Sequence, residues 1–76
     1  MLYYIYKVKG EYYMAYIVYK AYTNTFDREL PSWEEVTKFV ARKAHKYNYG
    51  ICRQWEEDGA HYFDIGPTVY KVVQKI

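Results

Sequence analysis

The sequence predicts an α+β domain: an antiparallel sheet of four to five strands, in the order β-β-α-β-β-β, with one helix packed on one face. Three observations predict it. Two runs rich in Tyr, Val and Ile together flank Gly10 near the start of the chain. A Ser32/Glu35 capping pattern opens the stretch with helical periodicity. Asp58-Gly59, a strong hairpin signal, lies between two further strand-like runs. The 76 residues make one domain, 1–76, which buries only about 60% of the surface that the unfolded chain exposes. At 51% hydrophobic and 22% aromatic, the chain is too apolar for disorder. Large aromatic side chains suit so short a chain, because each buries a large area.

Residues 2–9 and 12–23 read as the first hairpin, with Gly10-Glu11 at the tip of a type II′ turn. That register sets Val8 opposite Tyr13, Tyr6 opposite Ala15, Tyr4 opposite Ile17 and Leu2 opposite Tyr19. One face then carries Leu2, Tyr4, Tyr6, Val8, Tyr13, Ala15, Ile17 and Tyr19, without a charge, and is the expected core face. The other carries Tyr3, Ile5, Lys7, Lys9, Tyr12, Met14, Tyr16, Val18, Lys20 and Tyr22. Residues 24–31, NTFDRELP, read as a polar connection.

Ser32 is the expected helix N-cap, and the helix should run from 33 to about 47. Trp33, Val36, Val40, Ala44 and Tyr47 recur at helical spacing as its apolar stripe. Lys38, Arg42, His45 and Lys46 fall on the opposite side, and Gly50 is the expected left-handed residue after the last turn. The second hairpin, 51–57 and 60–66, sets Arg53 opposite Asp64, Trp55 opposite Tyr62 and Glu56 opposite His61. Its Cys52, Phe63 and Ile65 point inward. After Gly66-Pro67, residues 68–76 form a last strand whose partner the sequence does not identify.

No arrangement of residues points to catalysis, to a metal or to a cofactor. His45, His61 and Cys52 lack the close spacing of zinc ligands. Cys52, the only cysteine, excludes an internal disulfide and fits a reducing, cytoplasmic setting. As a strand residue on the inward side, it reads as a small buried hydrophobe rather than a nucleophile. Glu34 and Glu35 complement the helix dipole, as do the bases at its other end. The glycines mark turns and caps, not a phosphate loop. A ribonuclease using His45 or His61 ranks below the binding readings. No basic-then-apolar leader and no membrane-length apolar run is apparent, so no membrane partner is expected.

The first hairpin carries the functional expectation. One helix covers one sheet face, so the second face must be solvated, dimerised or partner-bound. Tyr3, Lys7, Lys9, Tyr12, Tyr16, Lys20 and Tyr22 are the expected partner-binding residues on that face, with Lys38, Arg42 and Lys46 as a secondary basic patch. Tyrosine offers rigid contact area with a polar tip, which suits a protein interface or a homodimer. Nucleic acid is the alternative partner, through base stacking and lysine–phosphate contacts. The net charge of +2 is small for that role.

The stretches GEYYMAY (10–16) and SWEEV (32–36) resemble the N-terminal half of HicB-type antitoxins over roughly residues 2–47. The Pro-Gly-Cys-like turn of that family is absent here. In size and architecture, with Glu57-Asp58-Gly59 at a hairpin, the chain also resembles small phage-encoded inhibitors of bacterial defence of the anti-CRISPR type. That resemblance implies a non-catalytic protein in the cytoplasm of a bacterial host. It would act by occupying a surface of a host protein or ribonucleoprotein complex that handles nucleic acid. The alternative is a small nucleic-acid-binding module.

Overall fold

The computed structural model describes residues 5–8 and 11–75, with side chains from residue 15 onward. Its elements in chain order are β1 (Ile5–Val8), β2 (Glu11–Met14), β3 (Tyr16–Lys20), β4 (Thr25–Leu30), α1 (Trp33–Asn48), β5 (Arg53–Glu57), β6 (Ala60–Ile65) and β7 (Thr68–Gln74). The last five strands form one antiparallel sheet in the order β4-β3-β7-β6-β5, and β1 and β2 pair separately. The expected α+β class and the order β-β-α-β-β-β both hold for the five-stranded sheet. Its first two strands, however, are not the segments expected.

Four expectations are corrected there. Val8 pairs with Glu11, not Tyr13, so Glu11 lies in a strand rather than in the turn. The run 12–23 is two strands rather than one: β2 pairs with β1, while β3 enters the five-stranded sheet after the single residue Ala15. The supposed connection 24–31 contains β4, an edge strand that tolerates the charges of TFDREL because only one side of it is paired. The turn before it bends at Asn24, whose φ of 52° is a conformation asparagine adopts more readily than most residues.

The fourth correction is the parity of the first sheet strand. Val18 is fully buried beneath α1, and Tyr16 packs beside it, whereas Ile17 and Tyr19 turn to the other face and are half-buried. The physical reason lies in the register. Val18 stands directly opposite Val72 of β7, making a compact β-branched floor on which a helix can lie close. Val36, Phe39, Val40 and Ala44 of α1 close over that floor, together with Phe63, Ile65 and Tyr70. Phe39, absent from the expected stripe, is the largest of the fully buried side chains. Its ring meets Tyr70 edge-on at 5.2 Å, and the Arg28 guanidinium lies 4.4 Å from its centroid. Tyr4 and Tyr6 of the expected core lie outside the described side chains.

The helix starts as expected: the Glu35 amide donates to Ser32 Oγ at 3.2 Å. It runs one residue past the expected end, to Asn48, and the left-handed backbone begins at Tyr49 (φ 54°) and continues at the expected Gly50 (φ 83°), whose amide donates to the Ala44 carbonyl. The β5–β6 pairing has the expected register throughout, and Asp58 and Gly59 both have positive φ, as a type I′ turn requires. β7, whose partner the sequence left open, inserts between β6 and β3. At the β6–β7 turn Gly66 (φ 55°) meets the helix end, and a Cβ there would sit 3.2 Å from the Tyr47 carbonyl oxygen.

Candidate interaction face

The β-ladder registers align one row of side chains across all five strands: Phe26 of β4, Tyr19 of β3, Lys71 of β7, Tyr62 of β6 and Trp55 of β5. The row lies opposite the helix, because its members alternate with the core residues Val18, Tyr70 and Phe63. At a strand spacing of about 4.8 Å it extends about 19 Å. Trp55 and Tyr62 stack with centroids 5.4 Å apart and planes 5° from parallel. Tyr19 and Phe26 meet edge-on at 6.5 Å. The ends of the row are its most open parts: Phe26 is 60% exposed and Trp55 40%. Tyr19, Tyr62 and Lys71 are half-buried, and Ala60 and Val69 on the same face are buried.

Two charges beside the row are paired. Arg53 pairs with Asp64 at 3.2 Å, and Lys75 pairs with Glu29 at 3.1 Å, both across strands. Lys71 sits within the aromatic row itself, between Tyr19 and Tyr62.

The expected partner-binding residues do not gather on this face. Tyr16 points to the helix side and meets Trp33 edge-on at 5.3 Å. Lys20 is exposed at the end of β3, with Tyr70 of the core as its cross-strand partner. Tyr22 is 82% exposed in the β3–β4 turn. Lys7 and Tyr12 are register partners in the β1–β2 ladder. Tyr3 and Lys9 lie outside the described residues. Lys38, Arg42 and Lys46 do occupy the exposed side of α1; Lys38 reaches Glu34 and Glu35, and Lys46 lies 5.1 Å from the Tyr47 ring. Sequence reasoning missed Phe26, Tyr19 and Lys71 as surface residues. Period-two alternation in TVYKVV could have found Lys71, but only once β7 had a partner.

Two grooves flank α1. One, of about 400 Å³, is lined by Tyr16, Trp33, Glu56, Gly59, His61 and Gln74. Within it His61 Nε2 lies 3.0 Å from Glu56 Oε2, and the imidazole tilts against Trp33 at 4.7 Å. The other, of about 370 Å³, runs between α1 and β5 past Cys52. Burial, and secondarily the Asp64 carboxylate, push the Cys52 thiol above its ordinary pKa, which disfavours the nucleophilic thiolate. Burial does the same to the Tyr70 phenol. Among the described residues no group of three or more His, Cys, Asp or Glu side chains could hold a metal ion. No helix among them is long and apolar enough to cross a membrane.

Fold and face together describe a small α+β domain with an aromatic row on the sheet surface away from its helix. Comparison with protein-family models, with curated proteins and with solved structures finds no match to the chain.

Proposed function

We propose that the chain is a non-catalytic binding protein that docks on a protein surface through the sheet face opposite its helix. The observation that carries this reading is the row Phe26, Tyr19, Lys71, Tyr62 and Trp55, four of whose five members are aromatic. Aromatic side chains supply large, rigid contact area at interface centres. A surface made to follow a phosphate backbone needs unpaired positive charge. Here Arg53 and Lys75 are each matched by a carboxylate, which leaves Lys71 as the one cation within the row, too few for a phosphate track, and favours protein over nucleic acid. Within this reading the proposed partner is a host complex that handles nucleic acid, encountered in the cytoplasm of a bacterium. That part rests on the resemblance in size and architecture to phage-encoded anti-defence inhibitors.

The test is capture from a bacterial lysate, with and without nuclease, by the wild-type chain and by a Phe26→Ala, Trp55→Ala double variant. Capture that survives nuclease and is lost by the variant supports the proposal. Capture abolished by nuclease replaces it with the nucleic-acid alternative. Capture unaffected by the variant removes the aromatic row from consideration and turns attention to Lys38, Arg42 and Lys46.

A further inference from the structure

The two edges of the five-stranded sheet are built differently. β4 is blunted: its pairing with β3 shifts register between Val18 and Tyr19, it carries Asp27, Arg28 and Glu29 in succession, and Pro31 follows it. These are the devices by which edges avoid further pairing. β5 also carries three charges, Arg53, Glu56 and Glu57, but has neither the register shift nor a flanking proline. Its five residues, Arg53-Gln54-Trp55-Glu56-Glu57, are all exposed, contain no proline, and pair with β6 in unbroken register.

The backbone of β5 has a definite polarity. In a two-residue hairpin the residues flanking the turn, here Glu57 and Ala60, exchange hydrogen bonds across the ladder. Alternation then directs the peptide groups of Glu57, Trp55 and Arg53 toward β6 and those of Glu56 and Gln54 outward. The outer edge thus presents two N–H and two C=O groups.

We propose that β5 pairs antiparallel with β5 of a second copy of this chain, about a twofold axis at Trp55. In that register Gln54 of each copy faces Glu56 of the other, so the outward peptide groups of both copies meet one another. Trp55 faces Trp55, and Arg53 of each copy faces Glu57 of the other, twice by symmetry. Arg53, Trp55 and Glu57 all lie on the face opposite the helix, and Glu57 forms no ion pair among the described residues. Shifting the centre by one residue in either direction sets Arg53 opposite Trp55 or Trp55 opposite Glu57 and loses the matched charges. A twofold contact of this kind is self-complementary, as an isologous interface must be. It produces a ten-stranded sheet in which the aromatic rows of two copies meet at Trp55 and extend about 43 Å. This pairing uses the strand edge and stands whether or not the sheet face binds another protein.

Sedimentation velocity of the full chain over a wide concentration range tests it. The wild type should show a concentration-dependent dimer that weakens with added salt. Gln54→Pro removes an outward N–H without touching the β5–β6 ladder, a substitution that an edge strand accepts. It should leave the circular dichroism and thermal midpoint close to wild type and abolish the dimer. Glu57→Arg sets like charges opposite one another twice and should raise the dimer dissociation constant roughly tenfold or more. Adding Arg53→Glu to Glu57→Arg restores opposite charges in swapped order and should recover the dimer. Should Gln54→Pro fail to fold, the charge-reversal pair decides. A wild type that stays monomeric at every concentration overturns the proposal. So does a dimer indifferent to Gln54→Pro and Glu57→Arg, or one lost only on Phe26→Ala. Failure of the charge swap to recover the dimer overturns the Trp55-centred register.

Discussion

Phe39 and Phe26 are chemically identical side chains in opposite environments, and replacing each by alanine measures the difference. Phe39 is 1% exposed beneath the helix, so its removal costs transfer energy plus a cavity, about 3–5 kcal/mol. Its edge-on contact with Tyr70 at 5.2 Å and the Arg28 guanidinium at 4.4 Å put it toward the upper end of that range. A domain of 76 residues has a total stability of about 4–11 kcal/mol. Phe39→Ala should therefore remove roughly half or more of that stability. Phe26, 60% exposed with one aromatic neighbour, should cost under about 1 kcal/mol. Urea unfolding followed by circular dichroism gives both values on one scale. A loss below about 1 kcal/mol for Phe39→Ala, or equal losses for the two variants, would refute the assignment of the helix to the Val18–Val72 face.

Ser32→Ala should destabilise by about 1 kcal/mol in the same urea assay, since it removes the acceptor of the Glu35 amide. Gly66→Ala should cost more than about 1 kcal/mol, because alanine meets both a positive φ and the Tyr47 backbone; a neutral result would mean that the β6–β7 turn lies away from the helix end. Cys52 and Tyr70 hold their protons more tightly folded than unfolded. The stability they contribute is complete below the ordinary thiol and phenol values and is lost as pH rises through their higher folded values. Tyr70→Phe should thus flatten the decline of thermal midpoint on the alkaline side, and an unchanged slope would count against that burial. Alkylation of Cys52 at neutral pH should be slower than that of a free thiol, which timed mass spectrometry reads directly.

The parts of the fold that could be read in advance are those encoded by several local signals at once. Asp58-Gly59 sets a turn type, and the pairs it brings together, Arg53 with Asp64 and Trp55 with Tyr62, match in charge and ring. Ser32 and Glu35 fix the helix start independently of its stripe. The strand through Tyr16–Lys20 had no such redundancy. Both of its faces carry apolar or aromatic residues, so periodicity identifies a strand without saying which side is inward. Only the partner strand decides, and Val72 lies far along the chain. The break at Ala15 escaped notice because no glycine or proline marks it, and β4 because an edge strand with three charges lacks strong alternation. The candidate face inherited that error in parity. Local pairing signals suffice to set Trp55 opposite Tyr62, whereas alternation alone puts Tyr19 on the core side, from which it turns away.

The position of β7 has a consequence for how the protein is made. It comes last in sequence among the five strands of the sheet but stands third of five across it, between β3 and β6. Until it emerges from the ribosome, the five-stranded sheet exists only as two hairpins, β3–β4 and β5–β6, with no strand common to the two. The floor under Phe39 is then half built, because Val18 has no Val72 beside it. Pairings this distant in sequence carry a large loop-closure cost and form slowly. Assembly of the sheet therefore waits for β7, which enters between the two hairpins and joins them in one step.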